Sequence, residues 1–174
     1  MREYLLLLPI IFIFHDMEEV VGFGWFFRNN RDLYERYPKV LKNYLNISEM
    51  GFAAGVYEEF IPFFGVSLLA YYFPGQFLYA LWYGMFIALT AHFVMHILCV
   101  VIVRRYIPSV ITSIICLPVS VLILIRCASF MPFDSNDLFG ISTGIVILIV
   151  NFIIIHPLMK FITKASGFPS VQSQ

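Results

Sequence analysis

Apolar residues fall in five long runs, at about 4–27, 51–73, 76–103, 108–130 and 139–161, with polar residues gathered between them. As a helix, each run is long enough to cross a hydrocarbon core about 30 Å thick at about 1.5 Å per residue. The pattern predicts a single all-α domain over residues 1–174, a polytopic membrane bundle of five transmembrane helices. The one sizeable polar interval is the 28–50 loop. Within it Leu33, Tyr37, Val40, Leu41 and Tyr44 recur at helical spacing, which predicts a short amphipathic helix on the membrane surface. Pro38 must start or kink that helix. Phe73-Pro74-Gly75-Gln76 reads as a tight turn, making the second and third runs an antiparallel hairpin. Pro108 is expected to open the fourth span, and Ser135 or Asp137 to cap the fifth. Gly51 with Gly55, and Gly140 with Gly144, are small-residue pairs suited to close helix contact.

Composition agrees with a membrane setting. The chain is 60% hydrophobic and 13% charged, whereas soluble domains are roughly one-quarter charged. Formal net charge is zero, so nothing points to a nucleic-acid partner; the expected surroundings are membrane lipid. The positive charges are unevenly placed. With five spans, one side receives Arg28, Arg31, Arg36, Lys39, Lys42, Arg104, Arg105, Lys160 and Lys164. The other receives Arg2, with Arg126 near a helix end. The positive-inside rule then puts the N-terminus outside and the C-terminus in the cytoplasm. The first run carries acids and lacks a small-residue cleavage site, so it is not expected to be a signal peptide. Cys99, Cys116 and Cys127 lie in spans without a CxxC pairing and read as packing residues.

The chemistry lies in ionisable residues that interrupt the apolar runs. His15, Asp16, Glu18 and Glu19 sit inside the first, Glu58 and Glu59 in the second, and His92 and His96 in the third. Such groups are costly at membrane depth unless paired or metal-bound, and they mark function. Spacing converts to depth. Glu18 and Glu19 fall about 14–15 Å from the cytoplasmic end of their helix, Glu58 and Glu59 about 12–14 Å, His96 about 12 Å and His92 about 18 Å. Asn151 falls in the same layer and reads as a helix–helix hydrogen bond in preference to a ligand. His15, Glu18 and Glu19 share one helix face, as do His92 and His96. Asp16 is expected to point away from His15. Adjacent Glu58 and Glu59 point about 100° apart, so one can serve as ligand and the other as neighbour. Four glutamates in one layer need a counter-charge, and one or two divalent ions would supply it. Histidine and carboxylate ligands suit Zn, with Fe or Mn as alternatives.

At His15-Asp16-Met17-Glu18-Glu19 the chain resembles the HXXEE-domain family of bacterial integral membrane proteins. The resemblance implies a membrane protein, with a bacterial cytoplasmic membrane as its setting, and carries no settled activity. The expected metal ligands are His15, Glu18, Glu19, Glu58, His92 and His96. Glu19, Glu58 and Glu59 are the expected catalytic carboxylates, one of them acting as general base on water. The function expected is a metal-dependent hydrolase acting on a lipid or another membrane-borne substrate. The alternatives are a di-iron or di-manganese oxidoreductase acting on lipid, and a small proton or metal-ion transporter.

Overall fold

The computed structural model describes residues 1–171, the side chain of Val40 aside. It is all-helical, with no strand among the described residues. A 3-10 turn at Arg2–Tyr4 precedes α1 (Leu7–Asn29). Two four-residue helices follow, α2 (Leu33–Arg36) and α3 (Pro38–Leu41), and then α4 (Glu49–Tyr72), α5 (Gln76–Val103), α6 (Val110–Ala128) and α7 (Ser135–Ser166). The helices α4, α5, α6 and α7 are long and apolar enough to cross a membrane. The 23 residues of α1 are not apolar enough by the same measure, because Asp16, Glu18, Glu19 and Arg28 interrupt them.

Contacts give the directions. Phe12 stacks on Phe63, and Phe23 on Phe52, so α1 and α4 run antiparallel. The Trp82 indole donates to the Leu5 carbonyl at 2.9 Å, and His15 meets Phe93, so α1 and α5 run parallel. Tyr83 reaches the Leu124 carbonyl from α5, antiparallel to α6. Gly84 meets Ile141, and His92 meets Phe152, so α5 and α7 run parallel. Three long helices thus run one way and two the other. The 30–48 segment, the α5–α6 link and the end of α7 share one end of the bundle, where Val171 donates to the Ile47 carbonyl. The other end holds the N-terminus, whose Arg2 guanidinium lies over Tyr71.

The helices are apolar nearly all round, as membrane spans are. Large aromatics fill the inward faces of α1, α4 and α5, with Phe12, Phe63, Trp82, Phe86 and Phe93 fully buried, whereas α6 turns mostly small residues inward. On α6, Ser113, Cys116, Ser120, Ile123 and Cys127 are buried, while Ile111, Ile114, Leu122 and Ile125 face outward. Both small-residue pairs sit at helix contacts: Gly51 and Gly55 against α7, and Gly140 and Gly144 against α5. All three cysteines are free.

Several local expectations change. The 28–50 loop does not form one surface helix. Tyr37 is extended enough to break it (φ −129°, ψ 54°), and Pro38 starts a separate turn. Its apolar residues face the bundle, where Leu33, Tyr37, Leu41 and Tyr44 line a cavity. The cap of α7 is Asp134, which accepts from the Asn136 and Asp137 amides, while Asp137 accepts from the Phe133 amide. The start of α6 is Val110, after Ser109 in a left-handed conformation (φ 82°). A non-glycine residue there costs about 1–2 kcal/mol, and it leaves the Ser109 hydroxyl unable to cap its own helix.

Candidate metal centre

The bundle brings three imidazoles together. His15 from α1 and His92 and His96 from α5 each offer a ligand atom within 4.8 Å of the others. The His92 and His96 Nε2 atoms are 2.8 Å apart, which is the consequence of i, i+4 spacing on one helix face. Glu19, one turn beyond His15, places Oε1 3.2 Å from the His96 Nε2. The parallel course of α1 and α5 produces this match, since equal rises along both helices keep His15 level with His92 and Glu19 level with His96.

His15 is fully buried. Its Nδ1 meets the Thr112 hydroxyl oxygen at 3.2 Å. That hydroxyl has one proton and a better acceptor, the Glu18 Oε2 at 2.7 Å. Charge-assisted bonds to a carboxylate are the stronger kind. The Thr112 proton therefore goes to Glu18, and Nδ1 of His15 must be the donor to Thr112. This fixes the tautomer and leaves Nε2 as a lone-pair atom facing His92 and His96. Nε2 is buried without a hydrogen-bond partner. A buried polar atom with no partner is costly and calls for an explanation; a cation among the three imidazoles supplies one. Tetrahedral zinc holds ligand nitrogens about 3.3 Å apart, from Zn–N bonds of about 2.0–2.1 Å. The 2.8 Å between the His92 and His96 nitrogens falls a little short of that value, and the 4.8 Å limit on all three ligand atoms admits it.

The other acids divide between this centre and structural work. Glu18, expected as a ligand, turns from the histidines to the start of α6. Its oxygens accept from the Tyr106 hydroxyl at 2.7 Å, the Ile111 amide at 3.4 Å, and the Thr112 amide at 2.8 Å. It thus caps α6 from outside, in place of Ser109. Burial and the bond to Glu18 push the Tyr106 phenol up to about 12, so it remains a donor. Glu58 accepts both of its bonds from Asn151 Nδ2, at 3.0 Å each, and ties α4 to α7. Its neighbour Glu59 is buried and lines a cavity of about 360 Å³ together with His92. A second cavity, of about 490 Å³, is lined by Glu19 and His96. The histidine cluster thus stands between two cavities, with one glutamate in each. Tyr44 reports on the acids from above: burial and the nearby carboxylates of Glu19 and Glu59 push its phenol up to about 12.

Asp16 departs from the expectation that it points away. It is buried, and Oδ1 lies 3.7 Å from the His15 Nε2. Helical spacing alone put it 100° off the histidine face, but with packing on both sides of α1 an adjacent carboxylate can still reach the imidazole. Thr112 was missed altogether. Its only sequence signal is its place in the first turn of α6, next to a link that returns to the level of Glu18.

These observations define the class: an all-helical protein, four of whose helices are long and apolar enough to span a membrane, with a cluster of three histidines that could hold a metal ion beside a carboxylate. A family model described as "Protein of unknown function with HXXEE motif" matches residues 6–123. The chain belongs to that family, and His15, Glu18 and Glu19 occupy the positions of its motif. No curated protein and no solved structure matches it significantly.

Proposed function

We propose that the protein is a membrane-embedded metalloenzyme, a hydrolase of lipid or another membrane-borne substrate, with one divalent ion held by His15, His92, His96 and Glu19. The observation that carries this reading is the fully buried, unpartnered Nε2 of His15 beside two more imidazoles and a carboxylate. Zinc suits that ligand set best. The ion would supply a Lewis acid that makes water nucleophilic near neutral pH. Glu59, on the cavity shared with His92, would act as general base, taking a proton from water and returning it to the leaving group. One ion is favoured over two because Glu18 and Glu58 spend their oxygens on α6 and Asn151.

The same reading makes α1 the first of five spans, with the N-terminus outside and the C-terminus in the cytoplasm of a bacterial cell. Support comes from the alternation of helix directions and from the basic residues gathered at one end. At about 1.5 Å per residue, α1 is as long as a hydrocarbon core of about 30 Å is thick. Its acids face the bundle and its Ile10, Phe14, Val21 and Trp25 face outward. A reporter fused after Gln174 should read as cytoplasmic; an external reading would overturn the orientation.

Metal analysis tests the centre. Protein purified without chelators is expected to carry about one zinc per chain, since three imidazoles and a carboxylate suffice to retain the ion, which can still take water as a fifth ligand. His15→Ala and His92→Ala should each abolish retention, and His156→Ala should keep it. Stoichiometric metal in both loss variants, or no uptake by the unaltered protein on titration with zinc, would remove the centre.

A further inference from the structure

The larger cavity lies in a seam. Near the N-terminus α1 and α5 are tied by the Trp82–Leu5 hydrogen bond. At the other end the Arg105 guanidinium, at the α5–α6 link, bonds to Asp32 at 2.7 Å and Asn30 at 3.2 Å. Between these ties the two helices do not pack backbone to backbone, and the cavity of about 490 Å³ fills the gap. Its walls are aromatic and aliphatic, including Phe23, Phe27 and Phe52. The segment Leu33–Tyr44 roofs it, and Ile102, well exposed on α5, marks its open flank. The charged or strongly polar side chains on its wall are Glu19 and His96, both from the proposed centre.

That wall is built for an amphiphile. Pockets of roughly 300–1,000 Å³ with apolar walls and a few convergent polar groups are the usual form of a small-molecule site. Here the apolar part would take a hydrocarbon chain, and the polar groups would meet the head. Charge selects the head. No lysine or arginine lines the cavity. Glu19 stands on the wall and would repel a phosphate. Resting on the metal-centre reading, we infer that the seam between α1 and α5 binds a neutral long-chain amphiphile, its chain among Phe23, Phe27 and Phe52 and its uncharged polar end at Glu19 and His96.

Cys99 permits a direct test, because it lines this cavity while Cys116 and Cys127 are buried elsewhere. The unaltered protein is placed in phosphatidylcholine discs and labelled with a small maleimide, with Cys99→Ser to confirm the site of labelling. A monoacylglycerol at about ten times its Kd should slow labelling about tenfold, and lysophosphatidic acid of the same chain length should not. Ile102→Trp, which fills the flank from an exposed position, should weaken protection by the monoacylglycerol. Absence of protection by either lipid overturns the proposal, and equal protection by both overturns the neutral head. Zinc content measured on the same samples separates the two readings. Metal without protection sinks the amphiphile alone, and protection without metal sinks the centre alone.

Discussion

Replacing Glu18 by alanine is expected to weaken zinc binding about 10–100-fold, although Glu18 touches none of the three histidines; that is the usual cost of losing a group that orients a ligand. The route runs through Thr112. Glu18 accepts the Thr112 proton, which leaves the threonine oxygen free to accept from Nδ1 of His15. Without the carboxylate, the hydroxyl is free to turn and donate to Nδ1. The imidazole then takes the other tautomer, and Nε2 carries a proton where a lone pair is required. The amides of Ile111 and Thr112 also lose their cap, worth about 1 kcal/mol at a helix start. Thr112→Val separates these effects, because it removes the hydroxyl at nearly constant volume and leaves Glu18 on the amides. It should lower zinc affinity by a similar factor with little change in thermal midpoint, and Thr112→Ser should restore it. The measurement is competition with a chelator of known affinity. Full affinity in Thr112→Val would break the link.

The motif gains a physical reading from this arrangement. Its histidine and second glutamate stand at the centre, and its first glutamate holds the histidine in register through a helix far along the chain. Much of this was legible beforehand. The layer of ionisable groups came from counting rises along apolar runs, and the pairing of His15 with His92 and His96 from depth and facing. The faces of single helices could not say where Glu18 and Glu58 would spend their oxygens, since their partners Thr112 and Asn151 lie more than 90 residues away. Asp16 was misplaced for a similar reason. A face calculated for one helix ignores neighbours on both sides, and α1 packs against α4 and α6 as well as meeting α5 through its side chains. The 28–50 loop was read as holding one short surface helix, whereas it breaks at Tyr37 into two short helices whose apolar residues line the cavity. Its apolar residues had two greasy places to go, and the seam between α1 and α5 was invisible without the fold.

Gly84→Ala is expected to destabilise the bundle by about 1–3 kcal/mol, the usual cost of forcing extra volume into a packed contact. A Cβ built on Gly84 would stand 2.2 Å from the Ile141 carbonyl oxygen, and one on Gly144 would stand 2.3 Å from that of Leu81. Both obstacles are backbone, so no rotamer change relieves them, and α5 and α7 must move apart. Membrane helices have little hydrophobic drive toward one another and depend on such close approach, so the lost contact has no ready substitute. Gly144→Ala should behave alike, and the double variant should fall short of the sum because both glycines serve one seam. Gly65 supplies the contrast. It lies in α4 with nothing near its missing Cβ, and there alanine should gain about 0.5–1 kcal/mol through helix propensity. The effect should also reach the metal. His92 lies eight residues beyond Gly84 on α5 and packs against Phe152 of α7, so parting these helices shifts an imidazole whose ligand atom must sit within a few tenths of an ångström. Thermal unfolding in detergent, followed with zinc content, checks both effects; a Gly84→Ala protein as stable and as zinc-rich as the unaltered chain would show that the α5–α7 seam is loose.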